Sequence, residues 1–284
     1  MIREPAVAGR FYEADADLLK GQIDDCFRHK LGATASPAPV QGRLAGFIAP
    51  HAGYMFSGPV ASHAFERLSR ENPLPQTIIL LGPKHTYYGA EFSVSAASAW
   101  KTPLGTLEVD VALRDRMLSA VKTLKADNDA HAMEHSIEVQ LPFIQYFTAN
   151  RPRILPIALH YSTFQVIEKL ASDIAAVLLA EKEQHIMLIA SSDFSHDTPR
   201  EEAYRLDREV VDRILALDAE GFYRLIVEED RSVCGLMPIT ALLIILAQIG
   251  QNIDASLLKY ATSMDIMRHD RGVGYASIIF EEKA

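Results

Sequence analysis

The sequence predicts an α/β fold, a single domain over residues 1–284 with a central mixed, mostly parallel sheet flanked by helices. Short continuous apolar runs at 44–48 (LAGFI), 77–81 (TIILL) and 186–190 (IMLIA) read as strands buried on both faces. Each run stops at a polar turn: Ala49-Pro50-His51, Gly82-Pro83-Lys84-His85 and Ser191-Ser192-Asp193-Phe194-Ser195-His196. Segments of helical period separate the runs, as in βαβ units, and in such sheets ligands bind beyond the carboxyl ends of the strands.

Taken in order, Leu19, Ile23, Cys26 and Phe27 recur at helical spacing behind an Asp-rich start and predict a helix over 16–31. A loop rich in Ala, Thr, Ser and Pro follows at 33–40, then the first strand, then a helix expected to begin near Pro59. Residues 92–96 and the turn 102–106 predict a hairpin-like insertion, with helices next at 110–125 and 134–147. A strand at 154–159 leads into a crossover helix at 164–179. The most apolar run, 241–247 (ALLIILA), is bounded by Pro238 and Gln248, far short of the roughly 20 residues of a membrane span, and reads as a buried helix. Residues 256–263 and 274–280 alternate as a two-stranded antiparallel closing unit.

With 49% hydrophobic and 23% charged residues the chain can fill a core and lacks the signature of disorder. A net charge of -9 without a compensating basic cluster disfavours nucleic acid and acidic lipid as partners. The opening residues hold no apolar leader, and the two cysteines, without CxxC spacing, point to no disulfide framework; a cytoplasmic location is the expectation.

Chemistry concentrates at the strand ends. His51 and His85 occupy equivalent places after two strands, where one histidine alone would be read as packing. Asp193 and His196 follow the third, spaced so that a carboxylate can orient an imidazole, although Ser191 to His196 also suits a helix-capping turn. Cys234 precedes Gly235 and a helix whose first turn Pro238 marks, where the helix dipole favours a thiolate. His131 and His135 have i, i+4 spacing with Glu134 and Glu138 nearby, but not in HExxH order; Glu134 and His135 are expected to line the pocket and His131 to cap or cover it. A Ser191 or Ser192 hydrolase with His196 lacks a GxSxG elbow. His29, His63, His160, His185 and His269 are assigned to surface or packing.

Five blocks, Ala49-Pro-His-Ala-Gly-Tyr54, Leu81-Gly-Pro-Lys-His85, Glu134-His-Ser-Ile-Glu138 with Gln140-Leu-Pro142, Ser191 to His196, and Cys234-Gly235, together with Ala8-Gly-Arg-Phe-Tyr12, resemble the Memo-like family, also called AmmeMemoRadiSam system protein B. That family is similar in fold to the class III extradiol dioxygenases, whose iron is held by two histidines and a glutamate. The resemblance implies His51, His85 and Cys234 as metal ligands, with Cys234 in the place of the glutamate, and His196 as the acid/base. Asp193 then assists catalysis, and Tyr54, Glu134 and His135 border the substrate. A thiolate softens the site, so iron or copper is expected, with zinc as a further candidate. The implied function is a metal-dependent oxidoreductase acting on an unknown small molecule, or in protein or RNA modification with AMMECR-type and radical SAM partners. The alternative is a non-catalytic metal- or peptide-binding protein that kept the cleft.

Overall fold

Every residue of the strand Thr77–Pro83 is buried, as a strand covered on both faces requires. The computed structural model describes residues 1–35, 40–148, 151–181, 184–250 and 252–283. Its strands are β1 (Ile2–Arg3), β2 (Arg43–Ala49), β3 (Thr77–Pro83), β4 (Phe92–Val94), β5 (Ala99–Thr102), β6 (Gly105–Glu108), β7 (Lys125–Ala126), β8 (Arg153–Leu159), β9 (Ile186–Ser191), β10 (Ile253–Thr262) and β11 (Gly274–Glu282). The helices are α1 (Ala16–Arg28), α2 (Tyr54–Ser69), α3 (Val111–Ala120), α4 (Asp129–Ala132), α5 (Leu141–Phe147), α6 (Phe164–Ala180), α7 (Arg200–Leu215), α8 (Ala219–Glu228), α9 (Leu236–Ile249) and α10 (Ser263–Ile266).

The main sheet has eight strands in the order β10-β11-β2-β9-β3-β8-β4-β7. Its centre, β2-β9-β3-β8, is parallel, whereas β11 runs antiparallel to β2 and β4 antiparallel to β8. The sheet is therefore mixed, with the three predicted strands adjacent at its middle. One hydrophobic core runs from Val7 to Phe280. The helix α9 lies against β3, β9 and α6 with every residue from Leu236 to Leu246 buried, each large aliphatic side chain there contributing about 1.5–3 kcal/mol. Pro238 sits in its first turn, as expected.

Local departures have local causes. The helix expected near Pro59 starts at Tyr54, because Gly53 supplies the N-cap and Pro59 is carried inside. The helix α1 ends at Arg28, where His29 leaves the helical backbone. Of the loop at 33–40, residues 36–39 lie outside the described residues, and 33–35 form a single 3-10 turn. The helix predicted over 110–125 ends at Ala120, and Lys125–Ala126 instead extends the sheet beside β4. The hairpin-like insertion divides: β4 joins the main sheet, while β5 and β6 pair in a separate three-stranded sheet with β1.

The helix predicted over 134–147 forms only from Glu138, as a 3-10 turn leading into α5, with Pro142 in the first turn of that helix. Glu134 is the reason. Its carboxylate accepts from its neighbour's backbone, Ser136 N–H at 2.9 Å, and from His85 N–H at 2.6 Å, bonds that hold residues 133–137 out of a helix. His131 and His135 consequently share no helix face.

Candidate metal centre

Because β2, β9 and β3 are neighbours, the turns after them meet at one edge of the sheet. His51, Asp193 and His85 each stand two residues beyond the end of a strand, and Cys234 arrives just before α9. The ligand atoms of His51, His85 and Cys234 all lie within 4.8 Å of one another, with His51 Nε2 3.2 Å from Cys234 Sγ.

Hydrogen bonds hold both rings and fix the tautomer of His51. Ser191 Oγ donates to Ser136 O (2.7 Å) and accepts from Gln140 Nε2 (2.8 Å), so at 2.8 Å His51 Nδ1 must be the donor to it. His51 Nε2 is left bare, facing the thiol. Burial, reinforced by the rings of His135, His85 and His196, pushes His51 well below the ordinary imidazole range and keeps it neutral. His85 Nδ1 donates to Glu134 Oε1 at 3.0 Å, a bond that orients the ring. Burial alone would raise Glu134, but the bonds from the His85 ring and from the Ser136 and His85 N–H groups hold it at about 2. A neutral imidazole with Nδ1–H tied off and Nε2 free, as at His51, is the form in which histidine binds a metal.

The thiol departs from expectation. The dipole of α9 was expected to favour the thiolate, but burial and the Asp193 charge push Cys234 well above its ordinary value, against the N–H of Asp193, which donates to Sγ at 3.1 Å. Cys234 is a half-buried thiol that must lose its proton to act as a ligand. Asp193 Oδ1 accepts from His51 N–H at 2.8 Å, and burial raises its carboxyl to about 6 despite that bond.

A pocket of about 510 Å³ opens over this edge, lined by His85, Cys234, His196 and Lys84 among others. His196 donates from its backbone N–H to Ser232 Oγ and meets Ser232 O through Nδ1, both at 2.8 Å, so its Nε2 carries no hydrogen bond among the described residues. His135 stacks on His85 with ring centroids 4.8 Å apart and meets His51 edge-on at 5.5 Å. Glu134 is buried behind His85 and orients it. Tyr54, expected beside the substrate, is fully buried; its hydroxyl donates to Val139 O at 2.7 Å and its ring packs on Phe143, so it supports the wall from the core. Neither Ser191 nor Ser192 is poised as a nucleophile: Ser191 is committed as above, and Ser192 Oγ donates to Asp193 O and accepts from Gly235 N–H. The residues that sequence reasoning missed are Ser191 as the partner of His51 and Gln140 behind it; a serine at a strand end carries no signal of what its hydroxyl will touch.

The Memo-like protein family model matches residues 3–279. The chain belongs to the Memo-like family. This Memo-like protein is similar to MEMO1 family proteins of Methanopyrus kandleri, 40% identical over 283 residues and 99% of both chains, and of Methanothermobacter thermautotrophicus, 41% identical over 281 residues covering 98% of this chain and all of that one. Among solved structures it is similar in fold to an uncharacterized protein from Escherichia coli K12, with a TM-score of 0.55 and 15% identity over 83% of this chain and 99% of that one. Within the described residues of this Memo-like protein, no helix is long and apolar enough to cross a membrane.

Proposed function

We propose that His51, His85 and Cys234 hold one transition metal and that the protein is an oxidoreductase acting on a small molecule in the pocket above them. The observation that carries this is the convergence of the three side chains, with each imidazole Nδ1 bonded to Ser191 or Glu134 and the bare Nε2 of His51 3.2 Å from the Cys234 thiol. The donor set of two nitrogens and one sulfur suits iron, copper or zinc rather than a hard cation. Bound there, such a metal would supply Lewis-acid or redox chemistry at positions the protein leaves open.

The chain's own residues do the rest. Ser191 and Glu134 aim the rings, Asp193 fixes the backbone of His51, and the buried wall of Tyr54 and Phe143 keeps that edge rigid. His196, held through Nδ1 with Nε2 free beside the pocket, is placed to carry a proton to or from a bound molecule. A non-catalytic metal carrier is the second reading, and the thiol, soft and displacing a carboxylate, favours it. Pairing with AMMECR-type and radical SAM proteins, and residence in the cytoplasm, belong to the proposal on the strength of the family pattern alone.

The deciding experiment loads the protein anaerobically with iron, copper or zinc, measures metal content, and screens oxygen uptake over small organic substrates. For the oxidoreductase, His196→Ala keeps its metal and loses substrate-dependent uptake. Metal lost together with activity would make His196 a ligand, and metal retained with no uptake in the wild-type protein would favour the carrier.

A further inference from the structure

Lys84 lines the pocket beside His85, yet it is only 8% exposed. Its ammonium donates to Gly89 O at 3.2 Å, one bond for a group with three donors. Lys84 forms no ion pair among the described residues, and unlike Lys30, Lys122 and Lys125, which also lack one, it is buried. Lysine is almost never buried unless paired, because an uncompensated charge out of water is costly. A ligand is then the natural source of the missing negative charge.

The surroundings limit what that ligand can be. Arg231, the other cation of the pocket, is already committed to Glu209, Glu229 and the carbonyl of Leu206. Asp230 also lines the pocket and forms no ion pair with Lys84. Leu159, Ile226, Leu236 and Met237 supply an apolar wall, and about 510 Å³ accommodates a small organic molecule. One uncommitted charge suits a monoanion; a phosphate dianion would call for a second.

We propose that Lys84 binds the carboxylate of a small acid whose apolar body lies against that wall, so that the substrate of the metal centre is a monocarboxylate. This inference rests on the proposed metal-centred function and names its substrate class.

The test titrates phenylacetate, phenylacetamide and phenyl phosphate into metal-free and zinc-loaded protein, followed by protein-detected NMR. Phenylacetate is expected to bind at least about tenfold tighter than its amide in both forms, a difference of roughly 1.4 kcal/mol. Lys84→Gln is expected to abolish that preference and Lys84→Arg to retain it, with circular dichroism checking both folds. Should Lys84→Gln not fold, the three probes on the wild-type protein still decide. Equal binding of acid and amide, binding of neither, or tighter binding of phenyl phosphate would each overturn the inference. A preference confined to the zinc-loaded form and surviving in Lys84→Gln would assign the carboxylate to the metal, overturning the role of Lys84 while leaving the metal-centred function intact. A Lys84-dependent preference in a protein that takes up no metal would support the anion site and sink the metal centre.

Discussion

His51 and His85 reach the same place by different means, one ring bonded to a neutral hydroxyl and the other to a carboxylate. Glu134→Gln replaces an acceptor on His85 Nδ1 with a group that can present its amide, so metal affinity should fall by about 10–100-fold while the fold persists, as isothermal titration with zinc would show. An unchanged affinity would mean that Glu134 serves structure alone. His131, outside the candidate metal centre, carries a different consequence. It is fully buried, its Nε2 meets Ser93 O at 3.3 Å and its Nδ1 has no partner among the described residues. Burial, with the Arg3 charge adding to it and the Ser93 bond opposing, lowers its pKa from 6.5 to about 4. The unfolded chain therefore binds a proton near pH 6.5 that the native protein refuses until about pH 4. The resulting stability, roughly 3 kcal/mol from a shift of that size, is fully present above pH 6.5 and is lost as pH falls toward 4. Urea unfolding as a function of pH should show this acid limb in the wild-type protein and a flatter one in His131→Gln.

The segment from α4 to α5 shows where sequence patterns stop being informative. Its i, i+4 histidines and apolar period mimic a helix, but the carboxylates of Glu134 and Glu138 are spent largely on backbone and side-chain groups of other segments, which no periodicity reveals. Glu138 is buried and ion-paired with Arg3 of β1, accepts from the N–H groups of Ala6 (2.8 Å) and Val7 (3.0 Å), and accepts from the Tyr12 hydroxyl at 2.6 Å. It thus ties the first residues of the chain to the element that leads into α5. Glu138→Ala would leave the Arg3 charge buried and unpaired, and about 3–5 kcal/mol should be lost in urea unfolding. A loss below about 1 kcal/mol would show that this junction contributes little. By contrast α1, α6 and α9 were legible because their apolar faces are continuous, helped at α1 by the Asp15 cap and at α9 by Pro238 in the first turn.

Across the molecule, the buried strands and their polar ends were readable because a strand covered on both faces must be apolar throughout. Their adjacency was not, since nothing in the runs themselves dictates that β9 lies between β2 and β3. That order decides the site: it sets His51 and His85 on either side of the turn bearing Asp193 and brings the start of α9 over them. The His, His and Cys residues were visible in the sequence; the bonds that hold the two rings, through Ser191, Gln140 and Glu134, were not. X-ray absorption of the protein loaded anaerobically with zinc tests the shared centre most directly. One metal per chain with a single sulfur at about 2.3 Å and imidazole nitrogens at about 2.0–2.1 Å is expected, the sulfur contribution vanishing in Cys234→Ser. A spectrum with nitrogen and oxygen neighbours only, identical in the two proteins, would contradict it.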